Sequence, residues 1–393
     1  MTTVLPIPTV PASRAGAAAS NAASGSATIA ASDMPTTTGP LRLRDRWGRT
    51  ADDLRISLID KCNLRCTYCM PAEGLPWLHK SSLLTAEEAV RLADIGVRIL
   101  GVKDIRFTGG EPLVRHDLAD IIAGVRELHP EVPISITTNG IGLDKKVDAL
   151  VDAGLTRVNV SLDTIDRQAF AELTRRDRLP QVMAGLAAAK DAGLEPVKVN
   201  AVMMRGVNDT GAADLLAWCV ERGYQLRFIE QMPLDADRSW ARDNLVSAAE
   251  LRERLSERFV LREDPAPRGS APAQLWEVFD RVSRVQDAAQ DAPLAADATP
   301  LGKVGIIASV TESFCSACSR TRVTADGKIR SCLFSNEETD LMWLLRGGAS
   351  DEDVALGWAR AMWGKPRAYG SDEVTLNDEA YVQPERTMSA IGG

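Results

Sequence analysis

From Leu54 to about Phe259 the chain alternates between short apolar runs and longer stretches in which apolar residues recur every three or four positions, the pattern of strands followed by helices. The runs of strand length are RISLI, DIRFT, ISITT, RVNVSLD, VKVNAVM and LRFIEQM. Their continuity in Val, Ile and Leu predicts strands covered on both faces, and therefore a parallel sheet. The segments between them are helical in period, as in TAEEAVRLADIGVRIL, where Thr85 and Glu88 have the spacing of a capping box. The tetrapeptide Asp-Ala-Gly-Leu occurs at 152–155 and again at 191–194, each time between a helix and a strand, which places Gly154 and Gly193 at the left-handed position that ends a helix. Six βα units with one hand of crossover can curl into a partial (β/α)6 TIM-like barrel of the α/β class; an open doubly wound sheet satisfies the same pattern.

Outside this repeat the pattern changes twice. Residues 1–40 are Ala, Ser, Thr, Pro and Gly with one arginine, one aspartate and no aromatic side chain, and are expected to form a disordered N-terminal extension. The segment 264–303 is rich in Pro, Ala and Asp, with an ordered piece at LWEV and a flexible insertion near 283–300. The expected organisation is thus the extension, a barrel over 41–260, and a C-terminal region over 261–393. A chain of 393 residues, 45% hydrophobic, has ample material for a buried core. Its net charge of -8 disfavours any general attraction to nucleic acid or to an anionic membrane surface, so an anionic ligand must be held by a local cluster of cations. No apolar stretch approaches the ~18 residues of a membrane span and the first residues lack the features of a signal peptide, so a cytoplasmic address is expected.

Seven cysteines in a reducing compartment point to metal ligands or buried thiols. Cys219, in LLAWCVERG, reads as a core residue. The other six form two groups, Cys62, Cys66 and Cys69 in DKCNLRCTYCMP, and Cys315, Cys318 and Cys332. The first group follows the first strand, at the C-terminal rim where such barrels carry their chemistry. A structural zinc site fills four tetrahedral positions; each group supplies three sulfurs, and the chain has only His79, His116 and His129 to add. An iron-sulfur cube on three thiolates leaves one iron open for a ligand, which is what substrate chemistry requires. Gly109 and Gly110, after the second strand, are expected to let backbone approach that ligand closely.

The spacing Cys-x3-Cys-x2-Cys with Tyr68 before the last cysteine, followed by TGGEPL at 108–113, resembles the radical S-adenosylmethionine superfamily. The segment FCSACSRTRVTADGKIRSCLF and the closing pair Gly392-Gly393 resemble the GTP 3',8-cyclase family, which acts in the first step of molybdenum cofactor biosynthesis; the resemblance runs from about Leu41 to the end. It implies two 4Fe-4S clusters, one on each cysteine group, with Cys62, Cys66 and Cys69 at the catalytic centre. S-adenosylmethionine contacts are implied at Tyr68, Gly110, Ser161 and Met232, and GTP contacts at Arg55, Arg106, Thr137, Lys198, Arg320 and Arg322. The glycine pair is implied to reach the substrate cavity, with Ile391 as its apolar anchor. An external one-electron reductant, a downstream cyclic pyranopterin monophosphate synthase and a homodimer are implied as partners. Two other classes fit the residues alone: a radical enzyme that modifies peptides, and a non-catalytic iron-sulfur or zinc protein.

Overall fold

The computed structural model describes residue 34 and residues 39–281, 298–376 and 378–391. Most of the expected extension and insertion, and Gly392 and Gly393, lie outside the described residues.

Six strands follow the apolar runs: β1 (Asp53–Ser57), β2 (Asp104–Thr108), β3 (Ile134–Thr138), β4 (Arg157–Ser161), β5 (Lys198–Met203) and β6 (Gln225–Glu230). Each pairs in parallel with the next. The helix Ala86–Arg98 begins at the expected capping box, in which Thr85 accepts the Glu88 N–H and Glu88 accepts the Thr85 N–H. Gly154 and Gly193 both have positive φ, 108° and 77°, at the helix ends where only glycine is free of strain.

The C-terminal third extends this sheet at both ends. After β7 (Phe259–Glu263) and β8 (Gln274–Asp280), β9 (Gly302–Ile307) adds in parallel to β6. β10 (Arg320–Val323) adds in parallel to β1, followed by β11 (Lys328–Arg330) and β12 (Thr339–Asp340). The resulting order is β12-β11-β10-β1-β2-β3-β4-β5-β6-β9-β8-β7, so the parallel part has two strands more than the six-unit expectation, both from beyond the βα repeat. Side chains from β1 to β6, β9 and β10 line one cavity, which requires the sheet to curl around it. β9 and β10 are not paired to each other, and the barrel is partial.

Apolar residues of alternate parity face outward to the helices and form one continuous core, from Leu54, Ile56, Phe107 and Ile136 to Phe228 and Val304. The helix Asp351–Trp363 seals the β10 side: Trp358 is fully buried and its Nε1 donates to Thr321 Oγ1 at 2.8 Å. Cys219 is buried in this core, as expected, and burial pushes its thiol up. No helix among the described residues is long and apolar enough to cross a membrane.

Candidate active site

The loop after β1 carries the first three cysteines and is fixed from two sides. On one side the backbone ladder between β1 and β2 continues past the strands: Leu58 N–H donates to Thr108 O at 2.9 Å, Gly110 N–H to Ile59 O at 2.6 Å and Glu111 N–H to Lys61 O at 2.9 Å. A Cβ on Gly109 would stand 2.5 Å from Ile59 O, and one on Gly110 2.3 Å from Asp60 O. The glycine pair is therefore demanded by backbone packing against the cysteine loop, which corrects the expectation that ligand approach alone requires it. On the other side the helix Arg167–Thr174 presents its last carbonyls to the loop, accepting from Arg65 N–H and Thr67 N–H at 3.0 and 2.9 Å. Arg175, left-handed at φ 55°, ends that helix and donates to the carbonyls of Arg65 and Met70.

Cys62, Cys66 and Cys69 then face the cavity. Burial pushes the Cys62 thiol up to about 11 and the Cys69 thiol up to about 12, and raises Cys66 as well. Such thiols need a metal to hold them as thiolates. Tyr68 donates through its hydroxyl to Asp163 at 2.9 Å, and Asp163 also accepts the Val202 N–H at 2.8 Å. Despite these donors, burial raises Asp163 to about 6. Glu111, raised to about 7 by burial, accepts from Asn139 N–H, Leu113 N–H and the Thr138 hydroxyl, tying the turn after β2 to the end of β3.

The second triad enters from the strand β10 and its flanks. Glu230 at the end of β6 accepts the N–H groups of Ala248, Val310 and Thr311, which anchors the loop leading to Cys315. Cys315, Cys318 and Cys332 line the same cavity as the first group. Burial raises the Cys315 thiol. Burial alone would raise Cys318 too, but Arg320, Lys365, the Arg320 N–H and Arg322 together bring it down to about 5. Each group presents three cysteine sulfurs to the cavity, a donor set suited to a four-iron cluster that keeps one free corner.

The cavity that both groups line is also cationic. Arg55 on β1 is paired in register with Arg322 on β10 and with Arg106 on β2, so three guanidinium side chains start from adjacent positions of adjacent strands. Arg322 is 4% exposed, and burial with Arg320 beside it pushes it down to about 10; it is charged at neutral pH. Neither Arg55 Nε nor Arg322 Nε has a hydrogen-bond partner among the described residues, and the nearest carboxylate to Arg55 is Asp53 at 4.0 Å. Positive charge held so sparsely countered is suited to a polyanion.

The cavity brings together every expected contact residue but one that lies among the described residues: Tyr68, Gly110, Ser161 and Met232, with Arg55, Arg106, Thr137, Arg320 and Arg322. Lys198 does not line it; it starts β5, half-buried, and burial with Arg227, Arg157 and Arg106 lowers its ammonium to about 8. Met388 and Ser389 from the chain's end also line the cavity, and Ile391 is 1% exposed, although the glycine pair beyond it is outside the described residues. Sequence reading missed Arg227, which lines the cavity and donates to Asn200 and Asn159, and the carboxyls Glu111 and Asp163. The signal for Arg227 was its parity: it points to the same side as Asn200, its register partner on β5.

A partial barrel with three thiols in the loop after its first strand is the ground plan of the radical S-adenosylmethionine class, and the family model of the Radical SAM superfamily matches residues 56–219. A second model, Molybdenum Cofactor Synthesis C, matches residues 224–371. In fold, the chain is similar to Streptococcus suis SuiB bound to S-adenosylmethionine, with a TM-score of 0.52 at 15% identity, covering 81% of this chain and 73% of that one. In sequence it is 62% identical over 351 residues to the GTP 3',8-cyclase of Paenarthrobacter nicotinovorans, covering 89% of this chain and 97% of the relative. It is 56% identical over 357 residues to GTP 3',8-cyclase 2 of Mycobacterium tuberculosis, covering 91% and 93%. The chain belongs to the GTP 3',8-cyclase family.

Proposed function

We propose that the chain is a radical enzyme that converts GTP to (8S)-3',8-cyclo-7,8-dihydroguanosine 5'-triphosphate in the first step of molybdenum cofactor biosynthesis. The observation that carries this reading is that both three-cysteine groups line one cavity together with arginines from the adjacent strands β1, β2 and β10. When bound, the first cluster with S-adenosylmethionine would supply a 5'-deoxyadenosyl radical able to take the hydrogen atom of the ribose 3'-carbon; closing the bond from that carbon to guanine carbon 8 leaves one unpaired electron on the purine, which an electron from the external donor and a proton would convert to the 7,8-dihydro product.

The chain's own residues confine and aim that chemistry. Cys62, Cys66 and Cys69 hold the first cluster at the strand ends, with Tyr68, Gly110, Ser161 and Met232 in place around S-adenosylmethionine. Cys315, Cys318 and Cys332 hold the second, which receives the guanine end of the nucleotide. Arg55, Arg106, Arg320 and Arg322, with Thr137, hold its triphosphate, and Lys198, outside the lining but near Arg106, adds its charge to theirs, so that the ribose is suspended between the two clusters. Buried walls exclude water and oxidant from a radical that either would quench. An external one-electron donor, a downstream synthase that forms cyclic pyranopterin monophosphate, a homodimeric assembly and a cytoplasmic setting complete the reading on the strength of the family resemblance.

The test is anaerobic. Protein reconstituted with iron and sulfide receives reductant, S-adenosylmethionine and GTP, and both 5'-deoxyadenosine and cyclised nucleotide are assayed. Both products are expected, in step with each other. Deoxyadenosine formed without any nucleotide product would transfer the chain to the peptide-modifying class.

A further inference from the structure

The two triads differ in the donors that reach one sulfur of each. Around the first, Cys62 Sγ is approached by the Leu64 N–H at 3.4 Å and Asn139 Nδ2 at 3.8 Å, both neutral donors, and the carboxyls of Glu111 and Asp163 lie at the same end of the cavity. Around the second, Cys318 Sγ meets two cations, Arg320 Nε at 3.4 Å and Lys365 Nζ at 3.3 Å.

Lys365 has no part in the site as assigned so far. It follows the helix Asp351–Trp363, is 2% exposed, and does not line the cavity, so contact with the nucleotide does not account for it. Its Nζ donates also to Arg320 O at 2.8 Å, and its own carbonyl accepts from Trp47 Nε1 at 3.1 Å. Beside it Arg49, paired with the buried Asp45, donates to the carbonyls of Cys315, Pro366 and Arg367. Two distant stretches of chain thus clasp the Cys315–Cys318 loop from behind. An ammonium is costly to bury unless an anion faces it. The charged groups that act on Lys365 are Cys318, Cys332 and Arg49, with no carboxylate among them, and the group its Nζ faces is the Cys318 sulfur.

We propose that Lys365 is a positioning residue of the second cluster: its ammonium donates to the Cys318 thiolate, fixes the direction of that ligand and raises the cluster's reduction potential. The inference rests on reading Cys315, Cys318 and Cys332 as cluster ligands. One-electron reduction adds negative charge that spreads onto the ligating sulfurs, and a buried cation hydrogen-bonded to one of them favours the reduced form. With neutral donors at Cys62 and a cation pair at Cys318, the protein holds its two clusters at separate potentials.

The experiment compares wild-type, K365M and K365R holoenzyme by potentiometric titration with a chemical reductant under argon, followed by electron paramagnetic resonance. The signal altered by adding S-adenosylmethionine reports the first cluster, and the unaltered one the second. In K365M with full iron content, the second cluster's reduced-to-oxidised ratio at a fixed potential is expected to fall by about tenfold, equal to about 59 mV for one electron. The first cluster's midpoint and S-adenosylmethionine cleavage stay as in wild type, and K365R recovers most of the shift. An unshifted second midpoint in iron-replete K365M overturns the proposal. Should K365M shed the second cluster's iron, K365Q decides: iron retained with a lowered midpoint supports the cation's role, whereas equal loss in K365R and K365Q shows a demand for packing alone and overturns it. Absence of a second signal from the wild-type protein would refute the cluster reading itself, a result distinct from an unshifted midpoint.

Discussion

Arg322, Arg55 and Arg106 stand about 4.8 Å apart in the sheet because their strands pair in register, a spacing that no side-chain motion can relieve at the backbone. Three guanidinium groups so placed repel one another until an anion arrives. Arg322→Ala is expected to weaken GTP binding by about 1.5–3 kcal/mol, the cost of a lost hydrogen bond to a charged partner, with iron content unchanged. Calorimetric titration with GTP checks it; unaltered affinity would make Arg322 a structural charge only. Lys198 gives a second, pH-dependent test. Burial, with Arg227 next, holds its ammonium at about 8, well below the free value of 10.5. The charged form is disfavoured in the fold, so this group's cost to stability is present below about pH 8 and is relieved as pH rises toward 10.5. Binding a polyanion must reverse that shift and take up a proton above pH 8. GTP affinity is therefore expected to decline as pH rises above about 8, with proton uptake visible in buffers of differing ionisation heat. Lys198→Met should remove both the decline and the uptake; a slope that persists in this variant would place the titrating group elsewhere.

Among elements, those with a strong local period were legible. DIRFT and ISITT are β2 and β3 residue for residue, and the capping box opens its helix where Thr85 and Glu88 placed it. β9 and β10 were not read because GKVGII and RTRV have no following helix to complete a repeat, and RTRV alternates charge with a hydroxyl and a single valine; only pairing with β1 explains its burial. The cysteines were legible through spacing, which is a property of sequence. Glu111 and Asp163 were not, because their perturbed character comes from burial that three separate strand ends create together. Gly110 was read as a point of close backbone approach to a ligand, and the structure shows a demand on it from backbone that the sequence did not reveal. Its alanine variant must push the Asp60 and Lys61 carbonyls away from 2.3 and 2.5 Å, an overpacking that costs on the order of 1–3 kcal/mol and displaces the loop holding Cys62. Gly110→Ala is expected to fold, to lose about half its iron and all S-adenosylmethionine cleavage, and to keep the second cluster. Iron analysis and a cleavage assay measure this; full iron with normal cleavage would show that the loop can yield.

At the scale of the whole molecule, a chain of net charge -8 keeps its cations where the sheet closes around them, so the site's electrostatics belong to the fold and not to the surface. The sheet itself is assembled from both ends of the sequence, β10 being laid beside β1 across most of the chain's length. A protein ended at residue 223, with the whole Radical SAM match inside it, would still contain β1 to β5 but would leave the β1 backbone without its partner. That fragment is expected to self-associate, because an unpaired strand edge invites pairing with another copy, and sedimentation analysis checks it. A stable monomer would mean that some other segment covers β1. The β1–β10 pairing has a further consequence during synthesis. As the chain leaves the ribosome, the loop of Cys62, Cys66 and Cys69 emerges early, while the strand that will shield it is hundreds of codons behind. Until β10 arrives, the nascent chain has an open seam and three thiols without their finished enclosure. A chain cut short in the last third is therefore expected to expose the β1 edge while its cysteine loop, held by β2 and the helix Arg167–Thr174, is already in place.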